Sequence, residues 1–304
     1  MPSTTPNTTP AHPRTHSAIL VTGTTGQVGR RLVPRLLGWR EPTERIRVLV
    51  RTQGAADRFA AVGAEAVVGD LRETEDRKRA LDGVSVVVNA AAAFRTPGLT
   101  AEDMYSVNRD AAVALATESA AAGVERFVQI STNLVYGPGA GRPHREDDAL
   151  RAAGGYPYPQ TKREAEERIA QVRAETGLDV VTLRLAFVYG EGDPHIVDWL
   201  PRAADWAAHQ RLPMVHHADV AQAVIRAIRT PGIAGRVYNV GDDAALTAVE
   251  LFALAGREFD LEAAAGRSAD DPWFGVPDTR LAHRELGYRP MYPTAWAAWR
   301  DGAL

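Results

Sequence analysis

Ser17-Ala18-Ile19-Leu20-Val21 runs directly into Thr22-Gly23-Thr24-Thr25-Gly26-Gln27-Val28-Gly29, and this junction decides the fold. The first five residues are an apolar run of strand length. After the glycines, Val28, Leu32, Leu36 and Leu37 recur at helical spacing. Strand, glycine turn and helix in that order make a cradle for a pyrophosphate. Glycine permits positive φ and close backbone approach, and the new helix offers unpaired N–H groups at the positive end of its dipole. The spacing is G-x-x-G-x-x-G rather than G-x-G-x-x-G. A purely structural turn is the alternative, and the strand before it and the helix after it weigh against that. The expected cofactor contacts here are Gly23, Thr25, Gly26, Gln27, Val28, Gly29 and the adjacent cation Arg30.

Downstream, β-rich runs at Ile46–Val50, Ala66–Val68, Val84–Asn89, Arg126–Ile130 and Val180–Leu185 alternate with helical patterns near Ala55–Val62, Thr74–Leu81, Glu102–Ala122 and Thr161–Glu175. This alternation implies an α/β fold: a Rossmann-type, doubly wound parallel sheet covered on both faces. Its ligand belongs beyond the carboxyl ends of the strands, where strand order reverses. After Tyr189 the rhythm loosens and prolines punctuate short elements. The expected organisation is a disordered tail over residues 1–16, a dinucleotide-binding domain over 17–190 whose sheet is completed by parts of 215–241, and a small substrate-binding lobe over 191–304.

Tyr158-Pro159-Gln160-Thr161-Lys162 places a phenol and an amine four residues apart, on one face of the chain if it is helical. A neighbouring ammonium stabilises the phenolate, so the phenol becomes a usable proton donor or acceptor near neutral pH. Alone, this spacing is common by chance. About 20 residues past the glycines, an NAD-type site places a carboxylate on the ribose hydroxyl. Here that position is Arg51, whose guanidinium suits the extra phosphate of NADP; a solvated surface charge is the alternative.

These segments together resemble an extended short-chain dehydrogenase/reductase, the superfamily that includes the nucleotide-sugar epimerases and dehydratases. Gly69-Asp70-Leu71, Asn89-Ala90-Ala91, Asn108, Ser131-Thr132 with Val135-Tyr136-Gly137, Arg184 with Tyr189-Gly190, Asp219-Val220-Ala221, Tyr238-Asn239-Val240-Gly241 and Leu286-Gly287-Tyr288-Arg289-Pro290 match its motifs in order. The resemblance implies that Thr132, Tyr158 and Lys162 are catalytic, with Lys162 also on the nicotinamide ribose. It implies that Asp70 contacts the adenine amine and that Leu71, Asn89, Ala90 and Ala91 line the cofactor. Asn108 would hold a water or main-chain carbonyl behind the lysine, or be only a polar residue in an alanine-rich helix. A turn or cap role for Asp70, and backbone satisfaction by Ser131 and Thr132, are the structural alternatives.

Composition narrows the classes further. A net charge of −3 gives no basic field for nucleic acid or anionic membrane, and 45% hydrophobic content supports a substantial core. The absence of cysteine rules out disulfides, thiolate metal sites and a catalytic thiol. The first 16 residues lack the apolar core of a secretory signal, and no apolar stretch approaches the ~18 residues of a membrane span. A cytoplasmic protein acting on a small molecule, without a metal, is the expectation; homodimerisation stays open.

Departures from the resemblance bear on the reaction. Dehydratases of the superfamily follow the catalytic threonine with Asp-Glu; here Asn133-Leu134 follow it. Where many nucleotide-sugar enzymes carry a diphosphate-binding Asn this chain has Phe187, and Leu212, beside Arg211, falls where they carry an Arg. Phe94, Asn133, Phe187, Trp199 and His216 are the candidate substrate contacts. The leading expectation is an NADP-dependent reductase of a carbonyl on a small, partly aromatic metabolite, with NAD the less favoured cofactor. An epimerase or isomerase working by transient oxidation, on a nucleotide sugar or another metabolite, is the second. A non-catalytic NADP-binding sensor is the third, and the intact Thr132/Tyr158/Lys162 set speaks against it.

Overall fold

The structure, a computed structural model, describes residues 17–94, 98–139, 141–152, 155–269 and 271–304. The expected disordered tail lies outside the described residues. Strands and helices alternate as β1 (Ser17–Thr22), α1 (Gln27–Trp39), β2 (Glu44–Val50), α2 (Gln53–Ala61), β3 (Glu65–Val68), α3 (Thr74–Leu81) and β4 (Val84–Asn89). The series continues with α4 (Ala101–Tyr105), α5 (Ala112–Ala121), β5 (Arg126–Thr132), α6 (Pro157–Thr176) and β6 (Asp179–Leu185). Shorter elements follow: β7 (Phe187–Tyr189), α7 (His195–Ala203), β8 (Arg211–Leu212), β9 (Met214–His216), α8 (His217–Arg229), β10 (Val237–Val240), β11 (Leu246–Thr247), α9 (Ala248–Leu254), α10 (Arg280–Glu285) and α11 (Ala295–Arg300).

Seven strands form one parallel sheet in the order β10-β6-β5-β4-β1-β2-β3. The chain moves outward from β1 through β2 and β3, then returns to the other side of β1 for β4, β5 and β6. The reversal opens a crevice between the carboxyl ends of β1 and β4. Both faces of the sheet are covered, which is why β1 reads as a continuous apolar run rather than an alternating one. Ala18 and Leu20 join the core shared with α5 and α6, whereas Ile19 and Val21 join the core shared with α1 and α8. A third apolar cluster, built from Tyr189, Ile196, Leu200, Leu212, Leu251 and Ala298 among others, holds the later elements together.

Two local expectations need correction. Helix α6 starts at Pro157, not Thr161, because a proline in the first turn lacks only an N–H that would have no intrahelical partner. Tyr158 and Lys162 therefore both ride on it. The single helix expected over Glu102–Ala122 is interrupted by a π-helical turn, Ser106–Ala111. Of the stretch 215–241, only Val237–Val240 joins the central sheet; β9 pairs with β7 in a separate ladder, and α8 packs over the sheet.

Candidate active site

The glycine turn is built by close contacts. Gly23 has φ 70°, and a Cβ there would overlap the Ala90 carbonyl and the Ala91 nitrogen at the end of β4. A Cβ at Gly29 would overlap the Gly23 carbonyl. Both glycines are therefore dictated by packing where the two loops meet. Helix α1 begins at Gly26 with no side-chain cap and no acidic residue in its first turn. A Cβ at Gly26 would meet only the Gly23 oxygen, at 3.3 Å, so the approach to these N–H groups is open. An anion satisfies such a terminus, and these residues fit a dinucleotide pyrophosphate. Thr25, Gly26 and Arg30 are exposed; Gln27 and Val28 are half-buried.

Beneath the crevice runs a buried hydrogen-bond chain. Thr22 Oγ1 donates to Asn89 Oδ1 (2.6 Å), Asn89 Nδ2 to Gln129 Oε1 (2.9 Å), and Gln129 Nε2 to the Ile130 carbonyl (2.9 Å). Lys162 Nζ donates to that same carbonyl at 2.6 Å. The Asn89 side chain is thus spent inside the sheet, so Ala90, Ala91 and main-chain atoms are what face the crevice from β4. Burial pushes the Lys162 ammonium down to about 8, against a smaller opposing effect of Glu166. Asn108, on the π turn, receives the Ala93 N–H on Oδ1 (2.7 Å) and donates from Nδ2 to the Ala93 carbonyl (3.1 Å) and to Thr161 Oγ1 (3.1 Å). It fastens the loop after β4 to the helix that carries Lys162.

Thr132 closes β5. Its Oγ1 accepts from the Leu134 N–H and donates to Asn133 Oδ1, both at 3.3 Å. Ser131 Oγ is buried with no partner among the described residues. Tyr158, in the first turn of α6, packs its ring against Phe94 at 4.5 Å, with Tyr156 completing an aromatic group. Asn133 Nδ2 donates to the Gly275 carbonyl at 2.6 Å, tying the strap Trp273–Pro277 to the end of β5. That bond leaves Asn133 nearly buried rather than open to a ligand.

Arg51 is exposed just past β2. Asp70 is engaged by a residue absent from the sequence expectations: Arg72 grips it through Nη2 (2.6 Å) and Nε, and its N–H caps Oδ1 at 2.9 Å. The Arg72 hydrogen bonds hold the Asp70 carboxyl below its usual range. Leu71 is buried in the core beside α3.

In the later elements, Phe187 packs against His195 (5.5 Å) and Trp199 (5.3 Å). His216 does not join them. Its Nδ1 accepts from the Ala218 N–H as the cap of α8, so Nε2 carries the proton and meets the Ala303 carbonyl at 2.8 Å. Both ring nitrogens are used by backbone, and the expectation of a substrate contact there finds no ring atom available. A cavity of about 360 Å³ is lined by Arg211, Pro213, Asp243, Ala245, Trp273 and Val276. Its lining includes none of Thr132, Tyr158 and Lys162; the Trp273–Pro277 strap separates it from Asn133.

A model of the NAD dependent epimerase/dehydratase family matches residues 19–241. The chain belongs to that family. It is 30% identical over 306 residues to a dTDP-glucose 4,6-dehydratase of Streptomyces griseus, covering 91% of this chain and 90% of the relative. It is 29% identical over 238 residues to 4-hydroxy-2-methyl-3-oxo-4-farnesyl-3,4-dihydroquinoline-1-oxide ketoreductase of Stigmatella aurantiaca, covering 74% of this chain and 68% of the relative. A short-chain dehydrogenase/reductase superfamily protein from Agrobacterium tumefaciens, solved with bound NAD, superposes with a TM-score of 0.76 at 22% identity. That match covers 93% of this chain and 95% of the other.

As a member of this family the chain is an NAD(P)-dependent oxidoreductase of the extended short-chain dehydrogenase/reductase type. Among the described residues, no helix is long and apolar enough to cross a membrane. The side chains that sequence reasoning missed are Gln129 and Arg72. Gln129 carried a signal, since a Gln between Val128 and Ile130 in a strand buried on both faces needs a partner. Arg72 carried none, because a cation two residues beyond an Asp is ordinary in loops.

The Lys162 charge has a measurable consequence. Its proton leaves near pH 8 in the folded chain and near 10.5 in the unfolded one. Between those values the unfolded chain binds more protons, so this group makes stability rise with pH across that window. Below it, the buried charge costs on the order of 3 kcal/mol. Lys162→Met should therefore be more stable than the wild type at pH 7, since Ile130 keeps Gln129 as a donor. The advantage should shrink between pH 8 and 10.5 in urea midpoints; a pH-independent difference would contradict the assignment.

Proposed function

We propose that the protein reduces a carbonyl, or oxidises the matching alcohol, on a small and partly aromatic organic substrate, using NADP. The observation that carries this reading is the arrangement around Lys162: an almost wholly buried ammonium one helical turn from Tyr158, on the helix packed against the strand that ends in Thr132. The bound nicotinamide supplies the hydride, which no side chain can offer. Thr132 and Tyr158 bind the substrate oxygen, and Tyr158 passes its proton to that oxygen. Lys162 lowers the cost of the phenolate. Asn108 keeps the helix in register with the Ala93 loop, and Phe94 excludes water from one side of the phenol. Arg51 and Arg30 take the 2′-phosphate.

The ketoreductase relative supports this choice, since its name gives reduction of a ketone on a dihydroquinoline, a benzo-fused bicycle. The dehydratase relative supports a second reading, transient oxidation of a nucleotide sugar. Two features favour the first. Asn133 follows Thr132 where the dehydratases carry an acid, and it is committed to Gly275. Phe187 presents a ring, packed in an aromatic cluster, where a diphosphate would need donors. Leaving strongly solvated phosphate oxygens poorly paired costs several kcal/mol, the difference between micromolar and millimolar binding. Calorimetric titration of the NADP-loaded protein with dTDP should show no complex, and a micromolar one would put the second reading first.

Tyr158→Phe removes only the ionisable hydroxyl. Turnover should fall on the order of 10²-fold or more while cofactor affinity holds. Near-normal turnover in steady-state assays would remove Tyr158 from the chemistry. Arg51→Glu should raise the Kd for NADPH at least about tenfold, ~1.4 kcal/mol, and leave NADH binding equal or better. Wild-type protein with equal affinity for both cofactors would show that Arg51 reads nothing.

A further inference from the structure

We propose that His195 binds the substrate directly, its Nε2 accepting from a hydroxyl next to the reacting carbonyl, with Asp193 as the residue that positions it. This rests on the carbonyl-reduction reading above. Asp193 has a fully buried side chain. Its Oδ1 takes both the backbone N–H of His195 (3.0 Å) and the ring Nδ1 (2.8 Å), while its Oδ2 takes Nε2 of the buried His217 (2.8 Å). Arg31 stands 3.7 Å from Oδ2 and also holds Gln27 of the glycine turn. Burial works against ionisation of Asp193, but the two histidine hydrogen bonds hold its carboxyl well below the usual range. An ionised acceptor at Nδ1 selects the tautomer with the proton there, in which Nε2 is the lone-pair acceptor.

A carboxylate needed only to cap α7 would make the bond to the His195 N–H and no other. The second bond fixes the imidazole itself. The loop that delivers Asp193 is also unusual: Gly190, Glu191 and Gly192 have φ of 101°, 57° and 71°, and Glu191 is one of two non-glycine residues with positive φ among the described residues. It is held there by Arg35 and by the Ala303 carbonyl. Such conformations persist where surrounding structure over-determines them, and they gather at functional sites.

The ring belongs to the elements that follow β6, the strand paired with β5. Leu185 pairs with Thr132 in the sheet, and Phe187, two residues further along the chain at the start of β7, packs against His195. The His195 side chain is 26% exposed, and among the described residues its Nε2 has no hydrogen-bond partner. A hydroxyl on the substrate would supply one.

The test uses full-length protein with NADPH and aryl ketones in matched pairs, acetophenone and 2-hydroxyacetophenone being the smallest. Wild type should favour the hydroxylated member by about tenfold in kcat/KM, carried by KM. His195→Phe should erase that preference, and His195→Gln, which keeps an acceptor, should retain part of it. A wild type without the preference, or a His195→Phe variant that weakens both members equally, overturns this inference alone. No NADPH consumption with any aryl ketone overturns the carbonyl-reduction reading and takes this inference with it.

Discussion

An ammonium kept out of water on one main-chain carbonyl is the constraint around which this molecule is arranged. Lys162 has Ile130 as its hydrogen-bond acceptor, and Ile130 ends a polar chain that crosses β1, β4 and β5 through Thr22, Asn89 and Gln129. Each member of that chain is buried, so each must be satisfied, and the satisfied whole specifies one relative placement of three strands and a helix. The glycine turn grows from the strand at one end of the chain and Tyr158 stands beside the lysine at the other. The glycine turn and the Tyr158/Lys162 pair are therefore set by one network rather than by two independent loops.

A second buried network sets the angle of α6. Arg184 on β6 pairs with Glu166 at 2.7 Å, one turn past Lys162, and donates to the Tyr136 hydroxyl at 2.8 Å. Tyr136 donates in turn to Asn239 on β10, whose Nδ2 holds the His144 carbonyl. Replacing such a pair by apolar groups is often neutral for stability, so the physical effect here is geometric: removing either partner would strand a charge, and retaining both allows one packing. The register of α6 is thereby tied to the edge strand β10 and, through His144 and its bridge to Pro277, to the Trp273–Pro277 strap.

The central sheet was legible because its information is local. Runs such as Val84–Asn89 and Val237–Val240 have the length, the β-branched content and the flanking turns of strands buried on both faces. What was not legible depends on contacts distant in sequence. The π turn at Asn108 exists where that side chain reaches Ala93 and Thr161, and nothing in an alanine-rich helix announces an extra residue in one turn. The true start of α6 was obscured by Pro159, which reads as a breaker unless the first turn is known to begin at Pro157. His216 was open to a substrate-contacting or a simply structural reading, because its partners, the Ala218 N–H and the Ala303 carbonyl, lie in the next helix turn and near the far end of the chain.

The later elements narrow the crevice by the same logic of committed polar groups. Asn133 and His144 both hold the strap, and Trp273 on it carries the Arg211 guanidinium over its ring at 4.6 Å. Arg211 thus has a cation–π partner on the wall of the side cavity. On the other side of Phe187, the Asp193 carboxylate is shared by two histidines and faces Arg31. Asn133, His144 and Asp193 are in this way committed within the protein, while Phe187, Trp199 and Trp273 supply an aromatic lining. Such a lining selects by shape and by one or two directional bonds.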